Sequence, residues 1–162
     1  MSATGAASAP QRLLGTLLLA VLLSALPLPA GAQPEFPVSC EKVTKIRITH
    51  ISAPMTLVKM PNQGRFHLLT MWLTPEAGDA LQALRDATPW EQMRAEDQEF
   101  TVKNILVTAG GVPLKTASPV WNTLNRRQIV LLIVREEDAL EAARRVCPTL
   151  EPERLSNERP GQ

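Results

Sequence analysis

Two segments of the chain are apolar at odd and even positions alike: RFHLLTMWL (Arg65–Leu73) and QIVLLIV (Gln128–Val134). A strand points successive side chains to opposite faces, so a strand of this kind must be covered on both sides. Both runs are too short to read as buried helices, and the second is rich in β-branched residues. A chain that carries two of them is committed to a sheet with a deep core. Gln128–Val134 is expected to be the central, most buried strand.

The neighbouring segments are compatible with such a sheet. KVTKIRITHI, within Lys42–Ile51, alternates, with Ile46 and Ile48 on one face and Lys45, Arg47 and Thr49 on the other. Met55–Met60 is a short further strand, and Pro61-Asn62-Gln63-Gly64 is a turn joining it to Arg65–Leu73 as a hairpin. Phe100–Thr108 and Val112–Thr116 flank Ala109-Gly110-Gly111, where adjacent glycines supply the positive φ of a tight hairpin turn.

Two helices punctuate the strands. Thr74-Pro75-Glu76 places a hydroxyl cap, a first-turn proline and an acid in the order a helix start requires. Ala77, Ala80, Leu81, Leu84 and Ala87 follow as an apolar stripe, which Pro89 ends. The second helix opens on Glu136-Glu137-Asp138 and closes on Arg144-Arg145, both favourable to the helix dipole, with Ala139, Leu140, Ala143 and Val146 as its buried stripe. Trp90–Glu99 is polar and charged, and reads as a loop or an exposed helical turn. The order is β-β-β-α-β-β-β-α. The expected class is α+β: an antiparallel sheet of about five to six strands with two helices on one face.

The N-terminus is a separate matter. Arg12 precedes the apolar run Leu13–Leu26, and Ala30-Gly31-Ala32 offers the small residues that signal peptidase accepts. The apolar run falls short of the roughly 20 residues a spanning helix needs, although Leu13–Ala32 could be stretched into an uncleaved anchor. The expected organisation is a signal peptide at 1–32, a flexible leader at 33–39, one domain at 40–149 and a disordered tail at 150–162. The destination is the periplasm or the cell exterior, with no stable membrane span after processing.

Export changes the meaning of Cys40 and Cys147, the only two cysteines. In an oxidising compartment they are expected to form a disulfide that closes most of the domain into one loop. The alternatives are two free buried thiols, or a thiol joining two chains. No Cys-x-x-Cys redox motif is present.

Arg12 is the sole charged residue of the first 32, so the rest of the chain carries 16 basic and 16 acidic residues. That balance excludes an electrostatic nucleic-acid binder. Chemistry is thinly represented. His50 and His67, the only histidines, share strand parity with buried aliphatics and read as sheet residues; no zinc-ligand spacing surrounds them. Asp86, Glu91, Glu96, Asp97 and Glu99, interleaved with Arg85 and Arg94, read as a solvated face. The Ala109-Gly110-Gly111 turn is followed by a strand, whereas a phosphate loop leads into a helix. No catalytic, metal or cofactor residue is assigned and no cofactor is expected.

The order RFHLLTMWLTPEAGDALQAL, NILVTAGGVPLKTASPVWNTL, RRQIVLLIVREEDALEAARRV resembles the head subdomain of the first periplasmic domain of the SecD/SecDF protein-export subunit. Thr74, Glu76 and Ala77 match its helix start. Gly110, Gly111 and Ser118-Pro119 match its turn and strand end, and Glu136, Glu137 and Ala139 match its acid-capped helix. The likeness covers roughly residues 65–149; Lys42–Met60 has no counterpart. It implies a free-standing exported module in a family whose heads contact other polypeptides, and it transfers no catalytic residue.

Trp72 is expected in the core. Trp90 and Trp121 fall in loops, where a tryptophan is either a lid on the core or an interface anchor, and Met93 could add an adaptable contact beside Trp90. The expectation is a non-catalytic module of the bacterial cell envelope that binds a protein or peptide through Trp90, Trp121 and Met93. The alternative is a small exported enzyme or metal-dependent hydrolase with a site not visible in sequence.

Overall fold

The computed structural model describes residues 33–52, 65–95, 98–117, 120 and 122–156. The expected signal segment 1–32, the expected Met55–Met60 strand with its turn, Ser118-Pro119 and Trp121 lie outside these residues. The described elements are, in chain order, β1 (Glu35–Val38), a 3-10 turn (Cys40–Lys42), β2 (Val43–Ser52), β3 (Arg65–Leu73), α1 (Pro75–Ala87), β4 (Glu91–Ala95) and β5 (Gln98–Val102). They continue with β6 (Leu106–Ala109), β7 (Val112–Pro113), β8 (Thr123–Leu124), β9 (Gln128–Ile133), α2 (Glu136–Val146) and β10 (Glu153–Ser156). The class is α+β, with mostly antiparallel sheets, the largest of five strands ordered β10-β2-β3-β9-β8.

The central strand is β3. The expectation for Gln128–Val134 was one place off: β9 lies beside β3 and is flanked on its other side by the two-residue β8. Both strands are apolar on both parities, and sequence alone does not rank two such strands within a sheet.

Register explains the core. Ile46, Met71 and Ile129 form one cross-strand row, and Ile48, Leu69 and Leu131 form the next. All six are at most 3% exposed. Both helices cover this face, since Ala77 and Leu81 of α1 and Ala139, Ala142, Ala143 and Val146 of α2 belong to the same buried cluster. Truncating a residue such as Leu69 would cost about 2–5 kcal/mol, because so tightly enclosed a site cannot collapse onto the void.

The opposite face carries Phe66 and Leu132, also buried, so cover on both sides is met at that end of β3 and β9. At the other end Trp72 sits outside the core, half-buried, which corrects its expected place. The Lys45 ammonium lies 5.5 Å and the Arg47 guanidinium 5.0 Å from its ring. Glu153 of β10 pairs with both cations, at 2.7 and 2.9 Å.

Three local expectations are revised. The leader 33–39 is not loose: β1 pairs parallel with β6 in one sheet, and Phe36 and Val38 are buried in the core. The tail contributes β10, parallel to β2. In both cases a lone four-residue segment gains its order from a ladder with a distant strand, which local composition does not encode. The third revision concerns Trp90–Glu99, where β4 and β5 form an antiparallel hairpin with Met93 opposite Phe100 and Arg94 opposite Glu99. Met93, Phe100 and Val102 are half-buried between exposed polar neighbours, but the strands are short and so rich in charge that the pattern reads as a loop.

The punctuation behaves as expected. Thr74 Oγ1 accepts the Ala77 N–H at 3.3 Å, with Pro75 at the first helical position. Gly110 and Gly111 hold φ of 59° and 75° in the β6–β7 turn. Gly78 serves a different purpose. A Cβ built there would stand 1.9 Å from the Arg126 carbonyl oxygen, so α1 rests directly on the turn leading into β9. The Cys40–Cys147 disulfide is formed, joining the 3-10 turn to the end of α2 with Cα atoms 4.6 Å apart.

Candidate binding cleft

The chain leaves α1 through a tightly bonded corner. Thr88 is 4% exposed; its N–H and hydroxyl both donate to the Leu84 carbonyl, at 2.9 and 2.7 Å. Pro89 follows, with no N–H to continue the helix, and the next residue is carried outward. Trp90 is 65% exposed, the most exposed large apolar side chain among the described residues.

A tryptophan in that position would wander unless something held it. Lys103, in the short connection between β5 and β6, supplies the hold. Its ammonium lies 5.1 Å from the centre of the Trp90 ring and donates to the Arg85 carbonyl in the last turn of α1. One cation therefore caps the negative end of the helix dipole and stacks on the indole. Asn104, the next residue, donates to Glu91 at 3.2 Å and accepts from Gln33 at 2.6 Å, tying the start of β4 to the first described residue.

Between these elements is a cleft of about 160 Å³. Its apolar wall is Val102, Ile105, Val120 and Leu124; its polar lining is Arg85, Lys103 and Asn122, with Trp90 at the edge. The expected anchors separate here. Trp90 lines the cleft, while Met93 is half-buried in the β4–β5 hairpin and is not part of the lining. Trp121 lies outside the described residues, although its neighbours Val120 and Asn122 both line the cleft. Arg85, expected on a solvated face, lines the cleft, and neither Lys103 nor Asn122 stands out in the sequence. The available signal was Lys103 itself, a cation interrupting two β-rich segments where a continuous strand was expected.

The histidines come together instead at the end of the sheet. His50 and His67 are directly opposed across β2 and β3, with ring centroids 5.0 Å apart. His67 is 9% exposed and its Nδ1 has no hydrogen-bond partner among the described residues. Burial, and then the neighbouring His50, hold its pKa below the ordinary imidazole value, against a smaller upward pull from Glu136. Among the described residues no three His, Cys, Asp or Glu side chains converge on a metal-sized space. None of the described helices is long and apolar enough to cross a membrane.

Comparison of the chain with protein-family models, curated proteins and solved structures gives no match.

Proposed function

We propose that this chain is an exported, non-catalytic binding module of the bacterial cell envelope, which engages a protein or peptide partner at the Trp90 cleft. The observation that carries the reading is Trp90 itself: two-thirds exposed, yet held in place by Lys103 beside a concave, partly apolar surface. A preordered aromatic loses little side-chain entropy on binding, and tryptophan is enriched among residues that dominate interface energies. The Cys40–Cys147 disulfide supports folding in an oxidising compartment, reached through removal of residues 1–32. The likeness of residues 65–149 to SecD heads points to a polypeptide partner. Trp90→Ala, with an unchanged urea midpoint, should lower recovery of the partner after mild crosslinking of intact envelopes by about tenfold or more, the loss typical of a binding hot spot. Equal recovery with the variant would overturn the reading.

A further inference from the structure

We infer that the Trp90 cleft takes the free C-terminal end of a polypeptide, holding its carboxylate with Arg85, Lys103 and Asn122 while the last side chain fills the apolar wall. The inference rests on the binding-module reading and specifies its ligand.

Every polar side chain in the described lining offers donors. The Arg85 guanidinium makes no ion pair among the described residues, and its planar fork suits a carboxylate. Lys103 commits one hydrogen to the Arg85 carbonyl and keeps two. Asn122 uses its Oδ1 to accept the Leu132 N–H at 3.3 Å, which leaves its NH₂ to donate. No described lining residue is acidic. The acceptor at the rim, the Arg85 carbonyl, is already bonded to Lys103 and to the Thr88 N–H. Two of these donors are cationic, so an anion gains charge-assisted hydrogen bonds that a neutral carbonyl does not match, and a cationic guest is repelled.

Size and the apolar wall narrow the anion. A space near 160 Å³ is that of a cavity known to admit one benzene ring, so it accepts a single apolar side chain. The guest must therefore present a carboxylate and an apolar group within a few ångströms of each other. In a polypeptide the terminal residue does so most directly, because its carboxylate and its side chain leave the same Cα. An internal Asp or Glu carries its charge at the tip of the side chain, and the apolar group beside it must come from another residue.

The test is calorimetric titration of the folded, disulfide-bonded chain with five-residue Ser-Gly-Ser-Gly-X peptides, X being Leu, Met or Phe, each as free acid and as C-terminal amide. At least one acid should bind about tenfold or more tightly than its amide, as expected for losing a charge-assisted contact. Arg85→Gln should remove that preference without lowering the urea midpoint. Equal affinity of acid and amide would overturn the inference, as would failure of every acid to bind. Isovalerate or hydrocinnamate binding as tightly as the best peptide would also overturn it, by marking a small-molecule site. Should Trp90→Ala still reduce partner recovery while acid and amide bind alike, the binding-module reading survives and only the carboxylate assignment fails.

Discussion

Opening the Cys40–Cys147 bond tests how this small domain is held together. The bridge spans 107 residues of sequence, and the chain-entropy relation for a loop of that length gives about 4.8 kcal/mol. Native bridges in small secreted domains contribute about 2–5 kcal/mol, so this figure lies at the upper end. The elements beyond the bridge make the size reasonable. β1, just before Cys40, and β10, shortly after Cys147, are four-residue strands, each paired to one neighbour. Cys40 is exposed whereas Cys147 is 4% exposed, so Cys40→Ala removes the cross-link with little loss of packing. With a urea slope of about 2 kcal/mol/M, the midpoint should fall by about 2 M. The slope should also rise, because an unlinked unfolded chain exposes more surface. A midpoint change under about 0.5 M would refute the argument that the bridge acts by restricting the unfolded chain.

Two further outcomes follow from the packing. Gly78→Ala, which at an exposed helical position would stabilise by up to about 1 kcal/mol, should here cost roughly 1–3 kcal/mol by forcing α1 off the Arg126 carbonyl; a raised melting temperature would contradict this. His67 favours its neutral form in the folded state, so below about pH 6.5 the unfolded chain binds the extra proton. Its contribution is fully present above that pH and lost as pH falls, by at most about 1.4 kcal/mol per pH unit. Asp138 and Glu153, held below their usual range by hydrogen bonds from Arg135 and from Lys45 and Arg47, lose their contributions at lower pH still. Between pH 7 and about pH 5 the decline should therefore be flatter in His67→Phe; equal slopes in urea melts would contradict it.

What could be read beforehand was what local chemistry dictates. Thr74-Pro75-Glu76 specifies a helix start through hydrogen bonding within one turn, and Gly110-Gly111 specifies a reversal through φ alone. The two-sided apolar strands announced a covered sheet for a similarly direct reason. The β1–β6 and β10–β2 ladders were not legible, because their parallel pairings join segments far apart in sequence. The same limit applied to the cleft. Trp90 was visible as a loop aromatic, but its partners Arg85, Lys103 and Asn122 come from a helix end, a strand connection and the approach to β8. Only the fold brings them together. His50 and His67 make the point from the other side: each was correctly placed on a strand, yet their opposition depends on a register set across the segment between β2 and β3.

Docking of the partner at Trp90, and not at whichever apolar group happens to be exposed, can be tested directly. Val112, on the β6–β7 hairpin, is 47% exposed and Leu155, on β10, is 45% exposed, so they serve as controls of comparable accessibility. A photoreactive benzoylphenylalanine placed singly at position 90, 112 or 155 and irradiated in intact envelopes reports directly on proximity. One discrete polypeptide adduct is expected from position 90 and none from positions 112 and 155. Adducts of equal yield at all three positions, or none at position 90, would contradict it.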